Sequence, residues 1–305
     1  MRSINTVKTL GEIGLIARFK RRIARSASVV VGIGDDTAVL RGPGGGLLLF
    51  ASDMLVEGVH FRRRRVPAQW IGWKALACNV SDIAAMGGLP RWAVVSLGLP
   101  PATAAGFVDA LYAGLERCAR RFGMAIVGGD TVRAPQVVVD VAILGTVDPK
   151  RLTLRSGVRL GDHLFVTGRL GGSYRSGRHA RFLPRVAEAQ QLLRRVRVRA
   201  MMDLSDGLAS DLWQMSRASR VTLRVDASRI PVTGSARTVY HALVDGEDFE
   251  LLFAVGPREA ARVPARIGAC PVTRIGAAVG RGPGVELVGR GGRIAPLIPR
   301  GVRHF

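Results

Sequence analysis

Lysine is almost missing from this chain: Lys8, Lys20, Lys74 and Lys150 are the four, so nearly all of the 45 Lys and Arg charges are arginine. Cysteine is as scarce. Cys78, Cys118 and Cys270 are odd in number and far apart, which excludes a disulfide framework or a zinc site and fits reduced thiols in the cytoplasm. Of five histidines, only His60 sits near an acidic motif in a way that suggests a site. There is no G-x-x-x-x-G-K-[ST] loop, no G-x-G-x-x-G after a strand, no H-E-x-x-H and no G-x-S-x-G, so P-loop, Rossmann, zincin and nucleophile-elbow chemistry are excluded. No apolar run approaches the roughly 18 residues of a spanning helix, and the N-terminus lacks the apolar stretch of a secretory signal. The expectation is a cytoplasmic protein with no membrane partner.

What is present is a basic, apolar chain. The 305 residues favour two domains, with Asp148-Pro149 as the expected boundary between residues 1–148 and 149–305. Mean hydropathy of +0.19 argues against disorder. A net charge of +22 permits a nucleic-acid binder or a bias towards arginine. The arginines are scattered, and the one tight run, Arg62 to Arg65, has no aromatic residues interleaved to stack bases. A solvated loop is the favoured reading of that run, and nucleic acid is not an expected partner.

Helix-like and strand-like segments alternate. A helix is expected from Gly11 to about Arg25, with Ile13, Ile16, Ala17 and Ile23 on one side. A short strand at Val29–Val31 leads to Gly-Ile-Gly-Asp35-Asp36, and a strand over 47–51 delivers Ser52 and Asp53 at its end. The stretch from Lys74 to Gly88 reads as an apolar helix, with Leu76, Val80, Ile83 and Met86 at helical spacing, carrying Lys74, Asn79 and Asp82. A strand near 92–97, a helix near 103–121, a strand at 125–127 ending in Gly128-Gly129-Asp130 and a long strand over 137–147 follow. In the second half a strand at 164–166 precedes an arginine-rich loop, and Asp203-Leu-Ser205-Asp206 opens a helix to about Ser219. Strands near 221–225 and 249–255 bracket Asp245-Gly-Glu247-Asp248. Val80-Ser-Asp-Ile-Ala84 and Leu204-Ser-Asp-Gly-Leu208 share a form that hints at two related halves.

The carboxylates carry the chemistry. Asp35-Asp36, Asp53, Asp82, Asp130, Asp203 and Asp206 each follow an apolar or glycine-rich run that would bury their base. Each alone has an ordinary reading as a turn or helix cap. Together they predict one shared site for hard cations such as magnesium, which take oxygen ligands and leave room for phosphate oxygens. Glycines beside them would let backbone amides approach phosphate closely.

Six motifs make the sequence resemble the thiamine-monophosphate kinase family: Gly32-Ile-Gly-Asp-Asp36, Ser52-Asp53 through His60-Phe61, Asn79-Val-Ser-Asp82 through Gly87, Val127-Gly-Gly-Asp130-Thr131, Asp203-Leu-Ser-Asp206-Gly207-Leu208 and Gly246-Glu-Asp-Phe-Glu250-Leu251. The resemblance runs from about Gly11 to the C-terminus. It implies an α/β (α+β), two-domain aminoimidazole ribonucleotide synthetase-like fold, with an N-terminal sheet that pairs with its twin in a homodimer and a C-terminal α/β domain. It implies magnesium ligation by Asp36, Ser52, Asp53, Asp82, Asp130, Asp203 and Asp206, with Asp36, Asp82, Asp130 and Asp206 central to catalysis. ATP contacts are implied for Tyr112, Gly129, Asp130, Arg155 and Ser205, and thiamine monophosphate contacts for His60 and Glu247. The implied reaction is in-line transfer of the ATP γ-phosphate to thiamine monophosphate without a phospho-enzyme, a step of thiamine diphosphate biosynthesis. Departures are also visible: Ala51 replaces a hydroxyl residue often found before Ser52-Asp53, the 168–202 segment is short and arginine-rich, and Pro299 stands about where an aromatic residue is expected. The alternatives are a superfamily relative activating another oxygen nucleophile with ATP, or a non-catalytic paralogue binding nucleotide or RNA.

Overall fold

The structure, a computed structural model, describes residues 6–24 and 26–301. Helix α1 (Val7–Lys20) starts at Thr6, whose hydroxyl accepts from the Thr9 amide, and bends at Gly11, where φ is +61°. The helix expected from Gly11 to Arg25 therefore begins earlier and stops at Lys20, and Arg25 lies outside the described residues. Of the apolar side expected of this helix, Ile16, Ala17 and Ile23 stay exposed, and the Ile13 side chain lies outside the described residues.

Strands β1 (Val29–Val31), β2 (Ala38–Arg41) and β3 (Leu47–Val56) precede helix α2 (Ala68–Ala85). Strand β4 (Leu89–Leu99), helix α3 (Ala105–Phe122) and strands β5 (Ala125–Arg133) and β6 (Val138–Val147) follow. The six strands form one sheet in the order β1-β2-β3-β6-β4-β5. The apolar run that predicts β3 ends at Ala51, yet the strand continues to Val56. Its ladder with β6 is unbroken, from Leu47 opposite Val147 to Val56 opposite Val138. Strand β5 likewise runs past its expected end, pairing in parallel with β4 as far as Leu99 opposite Arg133.

One face of this sheet, with Leu49, Leu55, Val95, Val141 and Ile143, is buried. Helix α2 is apolar almost all round, as a helix enclosed on every side must be. Leu76, Val80, Ile83 and Met86 are fully buried, each worth about 1.5–3 kcal/mol of transfer free energy. The close approach of α2 and α3 depends on two glycines. A Cβ at Gly72 would lie 1.9 Å from the Leu111 carbonyl oxygen, and one at Gly114 would lie 1.9 Å from that of Gln69. The other face of the sheet is open, with Phe50, Met54, Trp92 and Val94 exposed.

Strand β7 (His163–Thr167) opens the second sheet, followed by helices α4 (Ser173–Ser176) and α5 (Val186–Arg195) and strand β8 (Val198–Asp203). Helix α6 (Leu208–Ser219), strand β9 (Val221–Asp226), helix α7 (Val239–Val244), strand β10 (Leu251–Val255) and helix α8 (Pro257–Ala260) continue the chain. Strands β11 (Arg266–Ile267), β12 (Cys270–Arg281), β13 (Gly284–Val288) and β14 (Ile294–Pro296) complete it. The order is β14-β13-β9-β12-β7-β10-β8, with β11 paired to β12. Strand β10, Leu-Leu-Phe-Ala-Val, is buried at every position because both faces of this sheet are covered. Leu164, Val166 and Leu252 join a core with Leu208, Leu212 and Met215 of α6. Phe165 and Phe253, from the same two strands, and Met201 of β8 join the core that surrounds α2. The helix predicted to be central thus sits between the two sheets. Among the described residues no helix is long and apolar enough to cross a membrane.

Part of the arginine-rich 168–202 segment is neutralised internally. Arg185 bonds Glu250 through Nε and Nη2 at 2.7 and 2.6 Å, and Arg178 pairs with Asp248, both carboxylates being almost wholly buried. The Arg62 to Arg65 run is an exposed turn before α2, as expected of a solvated loop.

Candidate active site

A cavity of about 720 Å³ opens between the two sheets beside the C-terminal half of α2. The loop after β1 brings Asp35 and Asp36, β3 brings Asp53, the turn after it brings His60 and α2 brings Asp82. The second half supplies Arg155, then Asp203 at the end of β8, Ser205 and Asp206 before α6, and Glu247 from the turn before β10. Residues spread over more than 200 positions therefore line one space. The pleat selects Asp53: inward-facing positions on β3 alternate, so Leu49, Ala51, Asp53 and Leu55 share the face towards α2.

Carboxylate oxygens of Asp36, Asp82 and Asp203 lie within 4.8 Å of one another. Burial, then the neighbouring charges of Asp53, Asp203 and Asp36, holds the Asp82 carboxyl well above its ordinary range. Burial and Asp36 push Asp203 up to about 8. Burial raises Asp53 to about 6, although a hydrogen bond with Asp82 works against it, and burial with the adjacent Asp36 raises Asp35 to about 6. The Ser81 hydroxyl donates to Asp203 Oδ2 at 2.6 Å, one helical position before Asp82. Asp36 Oδ2 is buried without a hydrogen-bond partner. Oxygen donors that repel one another, one of them with an uncommitted lone pair, fit a hard divalent cation.

Arg155 braces this cluster. Its Nε and Nη2 donate to Asp36 Oδ1 at 3.1 and 2.6 Å, its backbone amide donates to Asp35, and its Nη1 donates to Gln214 Oε1 at 2.5 Å. Gln214 in turn donates to Asp206 Oδ2 at 3.0 Å. Asp211, fully buried on the same helix, accepts from the Gly207 amide at 3.1 Å and so fixes the turn that carries Asp206.

A second polar group closes the far end. Lys74 Nζ, 1% exposed within α2, donates to Glu247 Oε1 at 2.5 Å and to the His60 carbonyl at 3.1 Å. Glu247 and Phe249 both have left-handed backbone, φ +51° and +49°, held by their amides donating to the Ser205 and Leu204 carbonyls. His60 Nδ1 accepts from the Val56 amide at 3.0 Å, so the neutral ring carries its proton on Nε2.

Two family models match the chain, AIR synthase related protein N-terminal domain over residues 34–147 and its C-terminal domain over 164–288. The thiamine-monophosphate kinase of Rhodopirellula baltica is 40% identical over 288 residues, covering 88% of this chain and 90% of that one. That of Synechococcus elongatus is 37% identical, covering 73% and 77%. The chain belongs to the thiamine-monophosphate kinase family. Among solved structures, AaThiL complexed with AMPPCP and TMP superposes with a TM-score of 0.86 at 30% identity, covering 99% of this chain and 100% of that one.

Four residues to which the kinase motifs assign roles lie outside the cavity. The Ser52 hydroxyl is on the opposite, open face of the sheet, where it donates to Asp140 Oδ1 at 3.0 Å. The strand continues through this position, so Ser52 and Asp53 necessarily point to opposite faces. Asp130 is exposed in the middle of edge strand β5, its Oδ1 accepting from the Thr131 amide, and Gly129 is beside it. Tyr112 lies on α3, half-buried against the core. Lys74 and Asn79, carried on the same helix as Asp82, have partners of their own: Lys74 pairs with Glu247, and Asn79 Nδ2 donates to the Ala75 carbonyl of its own helix. The two Ser-Asp pairs are not equivalent either, since Ser81-Asp82 lies within α2 and Ser205-Asp206 precedes α6. Sequence reasoning placed Asp35 only within the shared carboxylate group and gave no role to Asp211 or Gln214. The last two stand five and eight positions after Asp206, a spacing that puts them on the first turns of the helix it opens.

Proposed function

We propose that this chain transfers the γ-phosphate of ATP to thiamine monophosphate, giving thiamine diphosphate and ADP, with magnesium held by the Asp36, Asp82 and Asp203 carboxylates. The observation that carries the reading is that carboxylate cluster, placed in the same cavity as His60 and Glu247. The names of the relatives and the AMPPCP and TMP bound by AaThiL support the substrates. Asp53 and Asp206 complete the oxygen-rich wall and are the further candidates for holding metal. When bound there, magnesium supplies charge screening between two phosphate anions and at the transferring group.

The chain's own residues then have distinct tasks. Arg155, locked by Asp36 and Gln214, presents a fixed cation for nucleotide phosphate, and Ser205 lines the same wall. His60, with its Nε2 proton, and Glu247, oriented by Lys74, face the acceptor substrate. No side chain serves as general base, because the attacking phosphate oxygen is already anionic. Positioning and electrostatics carry the barrier reduction.

The reading includes a homodimer through the open face of the first sheet, where Phe50, Met54, Trp92 and Val94 form an exposed apolar stripe. Edge strand β5 borders that face, so pairing would bring Gly129 and Asp130 to an inter-subunit surface. The test is formation of thiamine diphosphate and ADP with and without magnesium, for the wild type and Arg155→Met. Magnesium-dependent product that falls at least about 100-fold in the variant supports the reading. Turnover independent of magnesium would overturn it.

A further inference from the structure

A second cavity, of about 550 Å³, lies at the N-terminal end of α2 and is lined by Arg65, Trp70, Tyr174, Arg175, His179 and Arg181 among others. No carboxylate lines it. None of its three arginines has an ion-pair partner among the described residues, in contrast to Arg178 and Arg185 a few positions away. Three exposed arginines on one cavity wall without a carboxylate beside them favour an anion there, although Arg181 Nη2 also donates to the Ser176 carbonyl at 3.2 Å. Pro67 and Trp70, at the start of α2, line the cavity, so the positive end of the helix dipole lies beside it.

His179 is the independent observation. The ring is 4% exposed. Its Nδ1 lies 3.2 Å from the Ser173 carbonyl, which can only accept, so Nδ1 carries the proton. Its Nε2 is buried with no hydrogen-bond partner although the residue lines the cavity. Such an orphan costs about 1–3 kcal/mol unless something completes it. Burial, with Lys74 nearby, lowers the affinity of the ring for a second proton, so Nε2 is an acceptor awaiting an N–H or O–H donor. Two flat surfaces flank it. Tyr174 stacks on His179 at 4.4 Å through one face and is 48% exposed. Trp70 is held by the Arg117 guanidinium 4.0 Å from its ring centroid.

We propose that this cavity is a second ligand site that takes a small phosphate ester bearing a flat, hydrogen-bond-donating ring, a nucleotide-class anion, with Arg65, Arg175 and Arg181 on the phosphate, Tyr174 against the ring and His179 Nε2 accepting from it. The cavity volume falls in the range of small-molecule sites. The proposal is independent of the kinase reading, because none of these side chains lines the carboxylate-bearing cavity.

The test is calorimetric titration of the full chain with guanosine 5′-monophosphate and with inorganic pyrophosphate, in EDTA so that no metal assists the first cavity. The R175E/R181E double variant should bind guanosine monophosphate at least about tenfold more weakly. Tyr174→Ala should weaken guanosine monophosphate and leave pyrophosphate unchanged. Arg155→Met, in the first cavity, should change neither. The substituted arginines are exposed, so the thermal midpoint of the double variant should match the wild type and show that it folds. Loss of guanosine monophosphate binding in Arg155→Met but not in R175E/R181E would overturn the proposal. So would equal affinity for pyrophosphate and the nucleotide. Steeply salt-dependent binding of a single-stranded oligonucleotide that guanosine monophosphate cannot displace would overturn it in favour of a nucleic-acid surface.

Discussion

Replacing Asp82 by Asn should make the metal-free protein more stable while abolishing its activity. In the absence of a cation the Asp36, Asp82 and Asp203 carboxylates crowd one another in a buried site. Asp203 shows the size of the effect, with a folded-state pKa of about 8 against an ordinary 3.8. A folded pKa above the unfolded one means that the folded protein holds its proton more tightly. Stability is therefore full below about pH 4 and is lost as pH rises towards 8. At about 1.4 kcal/mol per tenfold change in proton affinity the whole interval corresponds to about 6 kcal/mol. The carboxylates titrate as one coupled set, so about half of that, ~3 kcal/mol, is a working figure. For a chain of this size it corresponds to a shift of about 5 °C in Tm. Scanning calorimetry in EDTA should show Tm falling between pH 5 and 8, magnesium restoring it at pH 8, and Asp82→Asn flattening the pH dependence and shrinking the magnesium effect. The rate of thiamine diphosphate formation should fall at least about 100-fold in the same variant. A metal-free Tm that does not change with pH, or an undiminished magnesium effect in Asp82→Asn, would refute the argument that these carboxylates form one cation site.

Three further substitutions probe the surroundings. Lys74→Met removes the buried partner of Glu247 and should cost about 3–5 kcal/mol in urea unfolding, while raising the KM for thiamine monophosphate more than that for ATP; equal effects on both would mean that Lys74 does not orient the acceptor end. Ser52→Ala should leave kcat within about fivefold of wild type, because its hydroxyl donates to Asp140 on the open face, and a loss of 100-fold would show that the hydroxyl reaches the metal site after all. Gly72→Ala would drive a Cβ to 1.9 Å from the Leu111 carbonyl; separating α2 from α3 should destabilise by more than about 3 kcal/mol or yield insoluble protein, and an unchanged Tm would contradict the helix contact.

Composition and order made the larger design legible. The 68–85 helix is apolar almost all round, which only a helix enclosed between layers tolerates, and five of the six motifs bring at least one residue to the cavity. Asp36, Asp53, Asp82, Asp203 and Asp206 could be grouped because each followed a run that had to be buried. What escaped the sequence has two physical causes. The first is pairing. Ser52 and Asp53 look like a strand terminus because the apolar run stops at Ala51, but ten consecutive cross-strand partners on β6 carry the strand on, and its pleat sends the two side chains to opposite faces. The same effect puts Asp130 inside β5 on an exposed edge. The second cause is distance along the chain. Lys74 has no visible partner when only its own helix is in view. Its partner, Glu247, lies 173 positions later on a turn whose left-handed backbone no local pattern announces. The cluster of uncompensated arginines around His179 arises the same way, from a loop beside Tyr174 folding back onto the start of α2. A charge count of +22 gives no hint of which arginines are spent on Asp248 and Glu250 and which are left facing a cavity. Which charges the fold pairs and which it leaves facing a cavity is a property of tertiary contact that residue spacing does not encode.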